Sequence, residues 1–179
     1  MKELSLNILD VAKNSVVAGA SLVEITLTTD SEGMLTLVIK DDGCGMSEQT
    51  VKNVTDPFYT TRTTRKVGLG LPLLKLAAEQ TGGFLEIVSS QSEQCHGTTV
   101  KAVFDTNSID FMPVGDIVST VCILIAGSPE IDFYFLDANS EREVSLKTSE
   151  LREVLGDVSL AEPEVQMWIA EYLKEQYNK

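Results

Sequence analysis

Asp10 and Asn14 lie four residues apart in a segment, Leu4 to Ala20, where Leu9, Ala12 and Val16 recur at helical spacing. Their side chains therefore project side by side, on a face that also carries Asn7. An Asn carboxamide oxygen is a hard ligand suited to a magnesium ion bridging nucleotide phosphates, and a neighbouring carboxylate can orient or deprotonate an attacking group. A solvated helix face would show the same pair.

A second cluster follows a run of alternating residues, Leu35, Leu37 and Ile39. It reads Asp41-Asp42-Gly43-Cys44-Gly45-Met46, a DxGxG pattern at a strand end. Glycines there let backbone approach a flat ring closely. The Asp41 carboxylate can accept from an exocyclic amine such as adenine N6, where guanine offers a carbonyl instead. Taken alone, the same letters fit an acidic turn or a fragment of a calcium loop, although the further oxygen ligands of an EF-hand do not follow.

A third element, Gly68-Leu69-Gly70-Leu71, opens a helix directly after a stretch rich in Thr and Arg, residues 56–68. Free N–H groups and the positive helix end make an anion site there. Arg62, Arg65 and Lys66 add charge for phosphates, or form a solvated basic loop. Finally, Gly97-Thr98-Thr99 begins a strand. A Thr hydroxyl both donates and accepts, so it can link a buried Asp to an adenine nitrogen through water, although by itself this is only a strand start.

The elements that must position these groups can be read from periodicity. Val23, Ile25 and Leu27 alternate with polar residues, and the turn-like Asp30 to Gly33 leads into the Leu35 to Ile39 alternation, predicting an antiparallel hairpin. A short helix is expected from Ser47, a mobile loop over 56–68, and a helix over Leu69 to Gln80 with Pro72 in its first turn and Gly82-Gly83 at its end. Strands are expected over Phe84 to Ser89 and Thr98 to Phe104, with a polar loop holding His96 between them. Beyond a linker over Asn107 to Pro113 the pattern predicts a buried helix over Val114 to Ala126 and a hairpin from Ile131 to Leu136 and Glu143 to Leu146. A terminal amphipathic helix, Glu162 to Gln176, then carries Val165, Ile169 and Leu173 on one face.

In order and spacing, Leu9 to Ser15 with Ala18-Gly19-Ala20, Asp41-Asp42-Gly43-Cys44-Gly45, Asp56-Pro57-Phe58, Gly68-Leu69-Gly70 and Gly97-Thr98 resemble the boxes of the GHKL superfamily of gyrases, ninety-kilodalton heat-shock chaperones, histidine kinases and MutL-type ATPases. The look is similar to stand-alone histidine-kinase-like or anti-sigma-factor-like ATP-binding domains. The resemblance covers about residues 1 to 105 and implies an α+β fold. This is the two-layer α/β sandwich called the Bergerat fold, with a mixed, mostly antiparallel sheet covered on one face by helices. Residues 106–179 would be an acidic C-terminal α/β extension.

The resemblance implies ATP and Mg²⁺ as cofactors. Asp10 would be catalytic, and Asn14 would hold Mg²⁺ through the ATP phosphates. Lys13, Asp41, Gly43, Gly45 and Met46 would bind nucleotide from the first two boxes. Phe58, Thr60, Thr61, Lys66, Gly68, Leu69, Gly70 and Leu71 would do so from the lid, and Thr98 and Thr99 from the last box. Asp10 is a methylene shorter than the Glu of hydrolysing members, which sets its carboxylate further back. No segment resembles the helical hairpin bearing a sensor kinase's phosphoacceptor histidine, or a gyrase transducer domain. His96 is expected at the surface. The implied function is a regulator that phosphorylates a hydroxyl or imidazole on a partner protein, with a slow ATP-driven switch or a nucleotide-decayed interaction module as alternatives.

Composition bounds the rest. The formal charge is −13, of which residues 108–179 hold −9, so a phosphate backbone is repelled and direct nucleic-acid binding is not expected. Three widely spaced cysteines with one histidine suit neither a disulfide framework nor zinc. No apolar run reaches the roughly 20 residues of a membrane span, and no signal-like start is present. A cytoplasmic protein and a possible homodimer are the expectations.

Overall fold

The computed structural model describes residues 3–56 and 69–179. Helix α1 (Leu4–Val17) buries Leu4, Ile8, Val11 and Ala12. No side chain caps its start. Instead Leu4 N and Ser5 N donate to the carbonyls of Pro113 and Val114 at 3.0 and 2.8 Å, so the later chain completes the helix. Helix α1 ends three residues before Ala20, because Gly19 enters the left-handed region (φ 72°) and Ala20 N turns back to Ser15 O at 3.2 Å.

Strands β1 (Leu22–Thr29) and β2 (Met34–Asp41) form the expected antiparallel hairpin, with Ile25 opposite Ile39. Helix α2 (Glu48–Asn53) starts at Ser47, whose hydroxyl accepts from Thr50 N. Helix α3 (Gly70–Gln80) carries Pro72 in its first turn, as the spacing predicts. Strands β3 (Phe84–Ser92) and β4 (Cys95–Asp105) are longer than their apolar alternation suggests, and only Glu93 and Gln94 separate them. The ladder uses backbone groups, so polar side chains at its wet end do not interrupt it. His96 therefore lies in β4 rather than in a loop, and it is exposed as expected.

Residues after 105 continue the same sheet. Thr106 N and Oγ1 donate to Gly33 O, and Asn107 Nδ2 to Glu32 O, which ties the linker to the β1–β2 turn. Helix α4 (Ile117–Gly127) starts at Asp116, whose carboxylate accepts from Ser119 N at 2.9 Å. Strand β5 (Asp132–Ala138) then pairs parallel with β1, and β6 (Glu143–Lys147) antiparallel with β5. The sheet order is β3-β4-β2-β1-β5-β6. Helix α5 (Thr148–Leu155), which periodicity did not show, is held by Arg152, whose guanidinium reaches Asp132 Oδ1 and the carbonyls of Pro129 and Ile131. Helix α6 (Pro163–Tyr177) closes the chain.

The helices stand side by side as α3, α1, α4 and α6. Val23, Ile25, Leu27, Leu37, Ile39 and Phe135 of the sheet join one buried cluster with their apolar faces. No helix among the described residues is long and apolar enough to cross a membrane. At the edge, Gln176 donates to Ser145 O and accepts from Ser145 N, both at 3.0 Å, taking the place of a further strand. Gln176→Ala is expected to lower stability by about 1 kcal/mol, measured by urea unfolding, because both groups then turn to water.

Candidate functional site

Asp41 ends β2 with its side chain on the helix-covered face. Its Oδ1 accepts from Gly43 N at 3.0 Å and Thr98 N at 3.2 Å, and its Oδ2 accepts from Ser15 Oγ at 2.6 Å. Three donors from the turn, β4 and α1 thus fix one half-buried carboxylate. A carboxylate offers about four acceptor directions, so capacity for a further donor remains.

The glycines also serve backbone packing. A Cβ on Gly43 would stand 2.9 Å from the Ala18 Cβ, where the turn meets the end of α1, and Cys44 N donates to Ala18 O at 3.0 Å. A Cβ on Gly45 (φ 70°) would collide with the Ser90 carbonyl, and one on Gly97 (φ 132°) with the Asp41 carbonyl. Ser89 ties these pieces together. Its hydroxyl accepts from Met46 N at 2.8 Å, and lies 3.0 Å from Gly97 O and 2.8 Å from Thr98 Oγ1. The His96 Nδ1 is 2.8 Å from Gly43 O; since a carbonyl only accepts, Nδ1 carries the proton and braces the turn.

Ser15 and Ser89 are site residues that the motif reading missed. Both were legible: Ser15 follows Asn14 on a helix face otherwise apolar, and Ser89 continues the alternation of Leu85 and Ile87 toward the core.

On α1, Asp10 and Asn14 are half-buried and Lys13 is exposed. The start of α3 comes to them, for a Cβ on Gly70 would lie 3.4 Å from the Asp10 Cβ. One expected residue is placed elsewhere, and another turns only its side chain to the core. Leu71 is 7% exposed and joins the core, because the first turn of α3 buries its apolar side. Thr99 pairs with Lys40 and Val88, one residue out of phase with Thr98, so pleating puts it on the opposite sheet face from Asp41. Leu69 is exposed just before α3. Phe58, Thr60, Thr61, Lys66 and Gly68, with Arg62 and Arg65, lie outside the described residues.

Asp42 faces away from this cluster and fastens the start of β1, accepting from Ser21 N at 2.7 Å, Leu22 N at 2.9 Å and the Ser21 hydroxyl. Burial alone would raise its carboxyl, but these hydrogen bonds outweigh it and hold the group below the usual carboxylate range. A depressed folded value means that the stabilisation is present at neutral pH and is lost as pH falls through the carboxylate range to the folded value. Asp42→Asn is expected to flatten the acid arm of a plot of urea midpoint against pH.

Strand β2, the glycine turn, α1 and the last strand box converge as in a nucleotide-binding sandwich. The sequence pattern of a family described as histidine kinase-, DNA gyrase B-, and HSP90-like ATPase matches residues 1–108. The chain belongs to this family. Among curated GHKL relatives, sporulation kinase E of Bacillus subtilis is 32% identical over 98 residues, covering 55% of this chain and 13% of the relative. Sporulation kinase C of the same organism is 28% identical over 108 residues, covering 60% and 24%. The chain thus spans less than a quarter of the length of these kinases. The Aquifex aeolicus MutL ATPase domain, solved in complex with ADP, shares the fold with a TM-score of 0.54 at 15% identity. That likeness covers 86% of this chain and 69% of the other, more of this chain than the family match at residues 1–108. The architecture is the α+β Bergerat sandwich.

Proposed function

We propose that this GHKL domain binds Mg-ATP and transfers its γ-phosphoryl group to a partner protein. The carrying observation is the Asp41 carboxylate, pinned by Ser15, Gly43 and Thr98 at the mouth of a glycine turn. Such a preset acceptor suits the adenine amino group and meets a carbonyl in guanine. The ADP held by the MutL relative supports the same ligand class here.

The residues present fit a magnesium site of the phosphate-borne kind. Asn14 supplies one hard oxygen beside Asp10, and Mg²⁺ is commonly held by one or two protein groups plus substrate phosphates. When bound, the ion would supply positive charge against that of the phosphates. Asn14 would orient it, the N–H groups of Gly70 and Leu71 at the start of α3 would face the anion, and Asp10 against Gly70 would orient the acceptor hydroxyl or imidazole. Asn14→Ala is expected to remove most of the magnesium dependence of ATP affinity, seen by titrating the variant with and without the ion.

Residues 106–179 are proposed as the partner-facing part, and a cytoplasmic location is proposed with them. The second reading is a slow ATP-driven switch: the shorter Asp10 would set its carboxylate back from an attacking water and so keep hydrolysis slow. Incubation with γ-labelled ATP and extract of the source cells separates the two readings: a labelled partner band supports transfer, and labelled phosphate release without a band supports the switch.

A further inference from the structure

Helix α6 is fixed on its inner side, where Val165, Ile169 and Leu173 are buried, Gln176 holds Ser145, and the Tyr177 hydroxyl donates to Asp137 at 2.6 Å. Its outer apolar residues do nothing for that anchoring. Trp168 and Tyr172, one turn apart, stack with centroids 4.9 Å apart and planes 12° from parallel, yet Trp168 is 48% and Tyr172 38% exposed. Met167 beside them is 64% exposed. Large aromatic and Met side chains left in water on a rigid helix are the composition of interface cores.

The surroundings specify the occupant. Glu164, Glu171 and Glu175 stand four before, three after and seven after Trp168, which puts three exposed carboxylates on the same side of the helix as the rings. Lys174, seven residues after Met167, stands on the same stripe of the helix as Met167, and its charge adds to the Ser119 hydrogen bonds that lower the Asp116 carboxyl. The two stacked rings are thus rimmed by three carboxylates, with the exposed Met167 and Lys174 further round the helix. A second copy would bring like charge against this rim, on a chain of net −13. A cationic partner meets the opposite sign, and an Arg guanidinium can lie over the exposed indole face.

We infer that the Met167, Trp168 and Tyr172 face of α6, with its Glu164, Glu171 and Glu175 rim, docks a cationic amphipathic helix of a partner protein. Aliphatic side chains of that helix cover the rings, while its Lys and Arg residues pair with the rim. The surface is at the far end of the helix row from α3, separated from α1 by α4, so docking leaves the Asp41 cluster uncovered. This partner class goes beyond the nucleotide reading and does not depend on it.

Trp168 is the chain's one tryptophan, so its fluorescence reports the patch alone. The test titrates the full chain, without nucleotide, with a synthetic amphipathic peptide of Leu, Lys and Arg, and with a control in which Glu replaces the basic residues. The inference predicts a saturable change in Trp168 emission with the cationic peptide only, weakening as salt is raised. Followed through a labelled peptide, Trp168→Ala with Tyr172→Ala should weaken binding by about tenfold or more. The triple change of Glu164, Glu171 and Glu175 to Gln should remove the salt dependence, with circular dichroism confirming that both variants stay folded. Equal binding of the acidic peptide, unchanged affinity in the ring variant, absence of saturable binding, or a dimer in sedimentation that the ring variant abolishes would each overturn it. Failure of any of these leaves ATP binding measurable and unaffected, so the two readings fail separately.

Discussion

Gly97→Ala is expected to destabilise the chain by about 3 kcal/mol or more and to abolish nucleotide binding with it. At φ 132° an alanine is strained, and its Cβ overlaps the Asp41 carbonyl, a backbone atom that cannot rotate away. Strain of this kind costs about 1–3 kcal/mol, and overpacking against fixed backbone adds a similar amount. The shift also falls on the site, because Gly97 immediately precedes Thr98, whose N–H holds Asp41 Oδ1. Gly82 is the internal control: its φ is 82°, but nothing lies within 4 Å of a Cβ there. Gly82→Ala should therefore cost only the backbone strain, about 1 kcal/mol, and leave binding intact. Urea unfolding of both variants, with nucleotide titrations beside them, makes the comparison. Equal, small losses would show that the Gly97 approach is not required.

Asp41→Asn is expected to reduce ATP affinity by about 100-fold. A hydrogen bond to a charged group contributes about 1.5–3 kcal/mol. The substitution also places an amide that must donate against the N–H groups of Gly43 and Thr98 or against the Ser15 hydroxyl. Some loss of stability follows from the donor–donor clash, so the affinity is to be read at a temperature where circular dichroism shows the variant folded. Ser15→Ala separates positioning from contact. It frees Oδ2 without changing charge, and should weaken ATP by about tenfold while leaving the preference over GTP in place. A Ser15→Ala chain that no longer distinguished the two bases would assign the discrimination to Ser15 itself.

Much of this arrangement is written in local pattern. The α1 stripe of Asn7, Asp10 and Asn14, the alternation of β1 and β2, the DxGxG turn, and Pro72 in the first turn of α3 each follow from spacing that short-range sterics enforce. Other features depend on partners distant in sequence. Whether Thr98 or Thr99 faces the helices is set by pairing with β2, and two adjacent threonines give periodicity no way to choose. The glycine neighbours of Leu71 mark a helix start, but that its side chain packs into the core depends on the docking of α3 on the sheet. The β3–β4 ladder extends through residues whose polarity suggests a loop, because backbone pairing does not require apolar side chains. Helix α5 depends on Arg152 meeting carbonyls at 129 and 131, which no local window contains. The parallel pairing of β5 with β1 likewise joins elements more than a hundred residues apart, so the acidic part reads as an appendage in sequence and as sheet in structure.

The central claim is that the Asp41 cluster is an adenine site completed by magnesium and phosphates. Calorimetric titration of the full chain with ATP and with GTP, each with and without Mg²⁺, tests it most directly. The account predicts saturable ATP binding that strengthens with Mg²⁺, with GTP weaker by about tenfold or more, as a mismatched hydrogen-bonding edge demands. Undetectable ATP binding, or equal binding of ATP and GTP, would contradict it.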